Sequence, residues 1–345
     1  MTMQSFWMKW RAEILRGSLI FVVVVGAGLA LVSAFHKGVD SLKSGTRGLI
    51  PQLAQNLSAS FGGDFDAPGR THGDSWSWHS KLNPGQTLAI RNISGPVEVT
   101  AAPGTETIVT TEKSWLSSEP GSVTIQAVPT SAGTMICAVW PSSNGGECTS
   151  GHNMNVHMNG REHSDVAVKF VVQLARGVKI DVGGISGDLD ISGAAAGVTA
   201  QTVSGDVSVQ TSYWPVELNS VSGDISVTTG TPGADAAKVH SVSGDITISV
   251  PANPDLTVHA TTMSGDIGDD FSLPVREAQY GPSQSLDGSI GKGGARLDLG
   301  TVSGDIKLNK ATSVTVWRLH KKAPKAATAV TAPPAAPAVA PPARP

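Results

Sequence analysis

The stretch Val203-Ser204-Gly205-Asp206-Val207-Ser208-Val209 decides the fold, because it returns. It recurs as Val221-Ser222-Gly223-Asp224-Ile225-Ser226-Val227 and as Val242-Ser243-Gly244-Asp245-Ile246-Thr247-Ile248. Further copies are Met263-Ser264-Gly265-Asp266-Ile267 and Val302-Ser303-Gly304-Asp305-Ile306-Lys307-Leu308, with a looser one at Ile185-Ser186-Gly187-Asp188-Leu189-Asp190-Ile191. From glycine to glycine the steps are 18, 18, 21, 21 and 39 residues. The last step is two periods long and implies one degenerate unit inside it. A period near 20 residues signals a repeat architecture.

Two and four residues after each glycine the side chains are Val, Ile or Leu, except at Asp269. That alternation in β-branched residues reads as a half-buried strand. A second apolar column stands two residues before the glycine, at Ile185, Val203, Val221, Val242, Met263 and Val302. Farther upstream, the pairs Ile180 and Val182, Val216 and Leu218, and Leu297 and Leu299 give another short strand, with a parity shift between the two that marks a bend. Ser-Gly-Asp is the turn, where glycine supplies positive φ and Ser or Asp bonds nearby backbone groups. One such unit cannot bury its apolar face alone, so stacked units predict an all-β solenoid of strand–turn–strand repeats. A β-sandwich of hairpins is the competing arrangement. Leu88, Ile90, Ile93, Val97 and Val99 fall in the same columns around Gly95, with Pro96 in the aspartate's place. That reads as a first, capping unit. Strands are also expected at 107–111, 123–128, 135–140 and 166–174.

The 345 residues are 40% hydrophobic and only 15% charged, with 39 glycines, which suits a turn-rich β protein. A formal net charge of -3 offers no basic patch for nucleic acid. Residues 1–16 read as a cytoplasmic segment bearing Lys9, Arg11 and Arg16. Residues 17–35 carry no charge and match the length of a transmembrane anchor. Cleavage of a signal peptide near Ala34 is the alternative. Residues 36–81 read as a stalk, 82–310 as the β-repeat domain, and the Ala- and Pro-rich 311–345 as an extended tail. Cys137 and Cys148 predict a disulfide in an oxidising compartment, with two free thiols as the other reading. The expected location is therefore the inner membrane, single-pass, with the β domain outside the cytoplasm.

The repeat-turn residues Gly187, Asp188, Gly205, Asp206, Gly223, Asp224, Gly244, Asp245, Gly265, Asp266, Gly304 and Asp305 are the candidate site. In a stack their carboxylates would form a ladder at about the 4.8 Å strand spacing. Such a ladder raises the question of bound Ca²⁺, but the denser Gly-Gly-x-Gly-x-Asp repeat of calcium-binding rolls is absent. Aspartates that bond turn amides are the reading adopted, with no cofactor. His152, His157 and His163 fit no zinc spacing and read as a polar loop. Trp76, Trp78, Trp115, Trp140 and Trp214 do not recur with the repeat and read as packing residues. No Gly-x-Ser-x-Gly elbow, P-loop or dinucleotide fingerprint is present, so no catalytic residue is assigned.

The Val-Ser-Gly-Asp-Ile units resemble the bacterial putative-adhesin family of β-strand-repeat domains of unknown function, over roughly residues 82–310. Met135-Ile136-Cys137-Ala138-Val139-Trp140-Pro141, with Cys148 following, also looks like family members with a cysteine-bearing strand. The resemblance implies an envelope-associated, non-catalytic binding or structural module with a protein or glycan partner. An envelope-stress sensor or scaffold is the alternative, and a carbohydrate-active enzyme a more distant one.

Overall fold

The computed structural model describes residues 64–141, 148, 164–211, 215–230, 236–279 and 282–311. The expected cytoplasmic segment, the apolar stretch 17–35, the cleavage site at Ala34, the stalk up to residue 63, the three histidines of 152–163, Trp214 and the tail from 312 lie outside them. Among the described residues no helix is long and apolar enough to cross a membrane.

The first strands are β1 (Thr71–Ser80), β2 (Thr87–Ser94), β3 (Val97–Ala101), β4 (Thr107–Trp115), β5 (Thr124–Thr130), β6 (Gly133–Val139) and β7 (Ala167–Leu174). The regular repeats follow as β8 (Lys179–Ser186), β9 (Leu189–Ala194), β10 (Val198–Ser204), β11 (Val207–Thr211), β12 (Val216–Ser222), β13 (Ile225–Thr229), β14 (Ala237–Ser243) and β15 (Ile246–Val250). The last are β16 (Leu256–Ser264), β17 (Ile267–Asp269), β18 (Val275–Glu277), β19 (Gln284–Ile290), β20 (Ala295–Ser303) and β21 (Ile306–Lys310).

Each unit gives one strand to each of two sheets and turns from one to the other at Ser-Gly-Asp. The first sheet runs β1-β4-β7-β3-β9-β11-β13-β15-β21-β17. The second runs β18-β19-β16-β20-β14-β12-β10-β8-β2-β6-β5. Successive repeats pair in parallel, Val207 with Ile225 and Val198 with Val216, so equivalent residues form columns. This is the solenoid arrangement; among the described residues, antiparallel pairs occur only toward the ends, such as β1 with β4 and β16 with β19. The core is the facing columns, including Val207, Ile225 and Ile246 from one sheet and Val198, Val216 and Leu218 from the other, all buried.

Four expectations are corrected. From Gly205 onward the column two residues before the glycine lies on the face away from the core, where Val221 is 36% exposed, Val302 41% and Met263 62%, while at the first two corners Ile93 and Ile185 pack against the core. The strand runs unbroken to the serine, so its inward positions are seven, five and three residues before the glycine, and the change of face comes at the corner itself. The third inward position is a buried column of Thr202, Ser220, Ser241, Thr301 and Thr262. Second, the 39-residue step holds no degenerate repeat. Its residues form β18 and β19, which pair antiparallel, and the final unit β20–β21 lies between β14–β15 and β16–β17. Third, the Gly95 unit does not end the stack, because β7 pairs with β3 and β6 with β2 beyond it. Fourth, β1 lies within the segment read as stalk, yet it is part of the first sheet, and its Trp76 and Trp78 pack against the core with Trp115. Buried Trp140 donates from Nε1 to the Val166 carbonyl at 3.2 Å.

Candidate functional site: the Ser-Gly-Asp corner

The corner glycines hold positive φ, from +109° at Gly95 to +152° at Gly265. A Cβ on Gly223 would be driven into the carbonyl of Gly205, and one on Gly205 into that of Gly187. Conformation and close approach therefore both demand glycine.

From Gly187 onward, three hydrogen bonds join each corner to the next. Gly205 N–H donates to the Ser222 carbonyl at 3.2 Å and Val207 N–H to the Asp224 carbonyl at 2.9 Å. In the opposite direction, Asp224 N–H donates to Asp206 Oδ1 at 2.9 Å. The same carboxylate bond links Asp206 N–H to Asp188, Asp245 N–H to Asp224, Asp305 N–H to Asp245 and Asp266 N–H to Asp305, at 2.8–2.9 Å. The aspartates thus bond turn amides, but those of the neighbouring unit rather than their own. The spatial order of the corners is 187, 205, 223, 244, 304, 265.

The ladder is closed at both ends. At Gly95 the aspartate is replaced by Pro96, which has neither an N–H to place nor a carboxylate to offer. At the other end, among the described residues, no further unit follows Asp266. There Gln284 on β19 takes its place: Oε1 accepts from Ile267 N–H at 2.7 Å and Nε2 donates to Asp266 Oδ1 at 3.1 Å. Asp269, the residue that breaks the apolar column, turns its carboxylate onto Phe271 N–H at 2.7 Å and Leu273 N–H at 3.0 Å, ending β17 after three residues. Nothing in the repeat spacing identified Gln284. The break at Asp269 was the visible signal.

Behind the ladder stand the buried hydroxyls. Thr262 Oγ1 donates to the Gly304 carbonyl at 3.1 Å, and Asn92 Nδ2 to those of Gly95 and Val168 at 2.9 and 2.8 Å. Among the described residues no group of three His, Cys, Asp or Glu stands where it could hold a metal ion. Each aspartate from Asp188 to Asp305 already has one oxygen committed to a neighbour's amide.

Cys137 on β6 and Cys148 are joined in a disulfide, with Cα atoms 5.7 Å apart. The pair packs with Ala89 and Met135 in a small buried cluster of its own. Nearby in sequence to β7, Asp165 gathers the 116–118 turn: the amides of Leu116, Ser117 and Ser118 and the Ser117 hydroxyl all donate to its carboxylate. Desolvation works to raise its pKa, but these bonds outweigh it and hold the group down to about 2. On the outer face of the second sheet, His240 lies beside Gly300, where a Cβ would meet its Nδ1 at 2.7 Å. Desolvation lowers the pKa of that imidazole, against the pull of Asp298. On β16, on the far side of β20, His259 Nδ1 meets Asp287 Oδ1 at 2.5 Å. Neither histidine was legible as a site, since neither recurs with the repeat.

A family model, Toastrack DUF4097, matches residues 78–309, the span of the two sheets from β1 to β21. The chain belongs to the Toastrack DUF4097 family. This is a β-solenoid-like domain family of unknown function. None of the curated proteins matches the chain. Two solved structures are similar to it. One is a putative cell adhesion protein from Clostridium sporogenes, at 8% identity over 69% of this chain and 100% of that one, with a TM-score of 0.37. The other is a putative adhesin from Bacteroides fragilis, at 11% identity over 68% of this chain and 97% of that one, with a TM-score of 0.34. At those scores the likeness carries no weight for the function of this Toastrack chain.

Proposed function

We propose that this Toastrack chain is a non-catalytic binding or structural module of the bacterial cell envelope. Residues 17–35 would hold it in the inner membrane and the β domain would lie outside the cytoplasm. The carrying observation is the outer face of the first sheet. There β11, β13 and β15 stand in register and turn out Ser208 with Gln210, Ser226 with Thr228, and Thr247 with Ser249. Small polar side chains on a stiff parallel sheet give a flat, evenly spaced surface, which suits an extended partner such as a glycan or an envelope protein. The disulfide supports an oxidising compartment.

The test has two arms. A phosphatase fused after residue 345 should be active, reporting an extracytoplasmic location; an inactive fusion whose cytoplasmic reporter counterpart works would overturn the placement. Pull-down from native envelope and a glycan array should each be compared with a Ser226→Arg, Thr228→Arg variant. Capture that is specific to the parent supports the flat face as the binding surface. Equal capture by both moves the surface elsewhere.

A further inference from the structure

We infer that the C-terminal unit, β20 with β21, exchanges between copies of this chain, so that a second copy can complete the stack. This goes beyond the proposed binding role and does not depend on it. The unit holds the last described strands along the chain but is interior in space. In the second sheet β20 pairs with β14 on one side and β16 on the other; in the first, β21 pairs with β15 and β17. Until residues 295–310 arrive, two edges face an open slot. Each edge is polarised to receive it. On the Gly244 side, Gly244 N–H and Ile246 N–H point at the Ser303 and Asp305 carbonyls, and Asp245 Oδ1 awaits Asp305 N–H. On the Gly265 side, the Ser264 and Asp266 carbonyls await Gly304 N–H and Ile306 N–H.

None of those contacts depends on which chain supplies the unit. The connection that decides is the link Gly291-Lys292-Gly293-Gly294. Because β19 and β20 flank β16, the link crosses the start of β16, where Lys292 N–H bonds Asp255 Oδ1 at 2.8 Å. Gly291 and Gly293 hold φ of +63° and +71°, and glycine reverts from that region to extended backbone at no steric cost. Exchange therefore trades one short glycine link for an open one and remakes every other contact, the situation in which domain swapping is cheap. A slot filled late in folding is also the point at which a neighbour's unit can enter first.

The experiment mixes two full-length chains, one Ser249→Cys and the other Asn309→Cys. These positions are register partners on β15 and β21, on the outer face. The native cysteines are already paired, so the introduced thiols are the free ones. In unexchanged monomers each stands alone. The chains are unfolded together in urea, refolded at rising concentration and oxidised. A control mixture combines Ser249→Cys with Gln210→Cys, which lie two strands apart through Thr228. The expected result is a mixed disulfide dimer about ten-fold or more above the control, rising with concentration, because only adjacent partners meet disulfide geometry. Unsubstituted light and isotope-labelled chains refolded together should likewise give mixed dimers by native mass spectrometry. Equal yields in the two thiol mixtures, or monomers alone in the unsubstituted mixture, overturn the inference.

Discussion

From β8 to β15 the stack follows the chain; from β16 to β21 it does not. The corner is the same in both regions, with glycine at positive φ, an aspartate-to-amide bond and the same pair of backbone bonds. The motif therefore specifies how a unit turns and how it joins a neighbour, but not which neighbour. That choice is made by the residues around it. The Gly265 unit carries Asp269 where its relatives carry Val, Ile or Leu, so β17 stops early and closes a turn. β19 occupies the outer edge of β16 and brings Gln284 to the last rung. The Gly304 unit keeps Ile306 and Leu308, both buried, and belongs inside.

The largest effects should come from the corner glycines, and should be equal in the two regions. Gly223→Val and Gly304→Val each force a side chain into a neighbouring carbonyl, so each should cost more than about 4 kcal/mol in urea unfolding. Gly85 also has positive φ, +89°, but nothing within 4 Å, and Gly85→Ala should cost only about 1–2 kcal/mol of backbone strain. Tolerance of valine at 304 alone would mean the reordered end is not built from the same corner.

Substitutions on the strands come next. Val207→Asp places an unpaired charge in the core and should cost several kcal/mol, about 4 or more. Ser208→Asp, on the outer face, should stay within about 0.5 kcal/mol. The reordered unit should repeat the contrast with Ile306→Asp against Lys307→Asp. Similar melting shifts within either pair would refute the assigned faces.

The parts legible in the sequence were those that recur. The Val207, Ile225 and Ile246 column gave the inward face, and Ser-Gly-Asp gave the turn, because stacking makes the same demand of every copy. What recurs without being apolar, or does not recur at all, was unreadable. The serine and threonine column at 202, 220, 241, 262 and 301 is buried without being apolar, since it sits behind the corner carbonyls, and Thr262 bonds one of them. The apolar column at 203, 221 and 242 recurs as clearly, yet it lies on the face opposite the core, where Val203 and Val242 are half-buried and Val221 is exposed. Order along the stack is a long-range choice, written once in Asp269 and Gln284, and a period cannot report it.

Smaller effects separate an end from the middle. Gln284→Leu should remove the cap on Ile267 N–H and Asp266, costing about 1–2 kcal/mol. Hydrogen exchange should quicken at Ile267 while Ile225, in mid-stack, is unchanged; uniform quickening would make Gln284 a global support rather than a cap. Away from the ladder, the depressed pKa of Asp165 gives stability that is full above its unfolded value of 3.8 and is lost as pH falls toward about 2. The melting temperature of the parent should therefore fall more steeply over that interval than that of Asp165→Asn. Parallel acid limbs would remove Asp165 from the account.

The smallest expected effect tests what the ladder is for. Asp224 accepts Asp245 N–H through one oxygen, which an asparagine can still provide. Asp224→Asn should then be nearly silent, within about 0.5 kcal/mol, while Asp224→Ala, which leaves that amide without its acceptor, should cost about 1 kcal/mol. The carboxylates are stacked at about the 4.8 Å strand spacing, so removing one charge also relieves repulsion between like neighbours, and added salt should stabilise the parent more than Asp224→Asn. A cation site predicts the reverse order of importance. Calcium would raise the melting temperature of the parent in proportion to the logarithm of its concentration, and the asparagine would weaken that rise by removing a charged ligand. Calorimetry of the parent and Asp224→Asn, with and without Ca²⁺, separates the two: an unchanged parent leaves the aspartates as the links between units, and a calcium-dependent rise that shrinks in the variant makes the ladder a cation site instead.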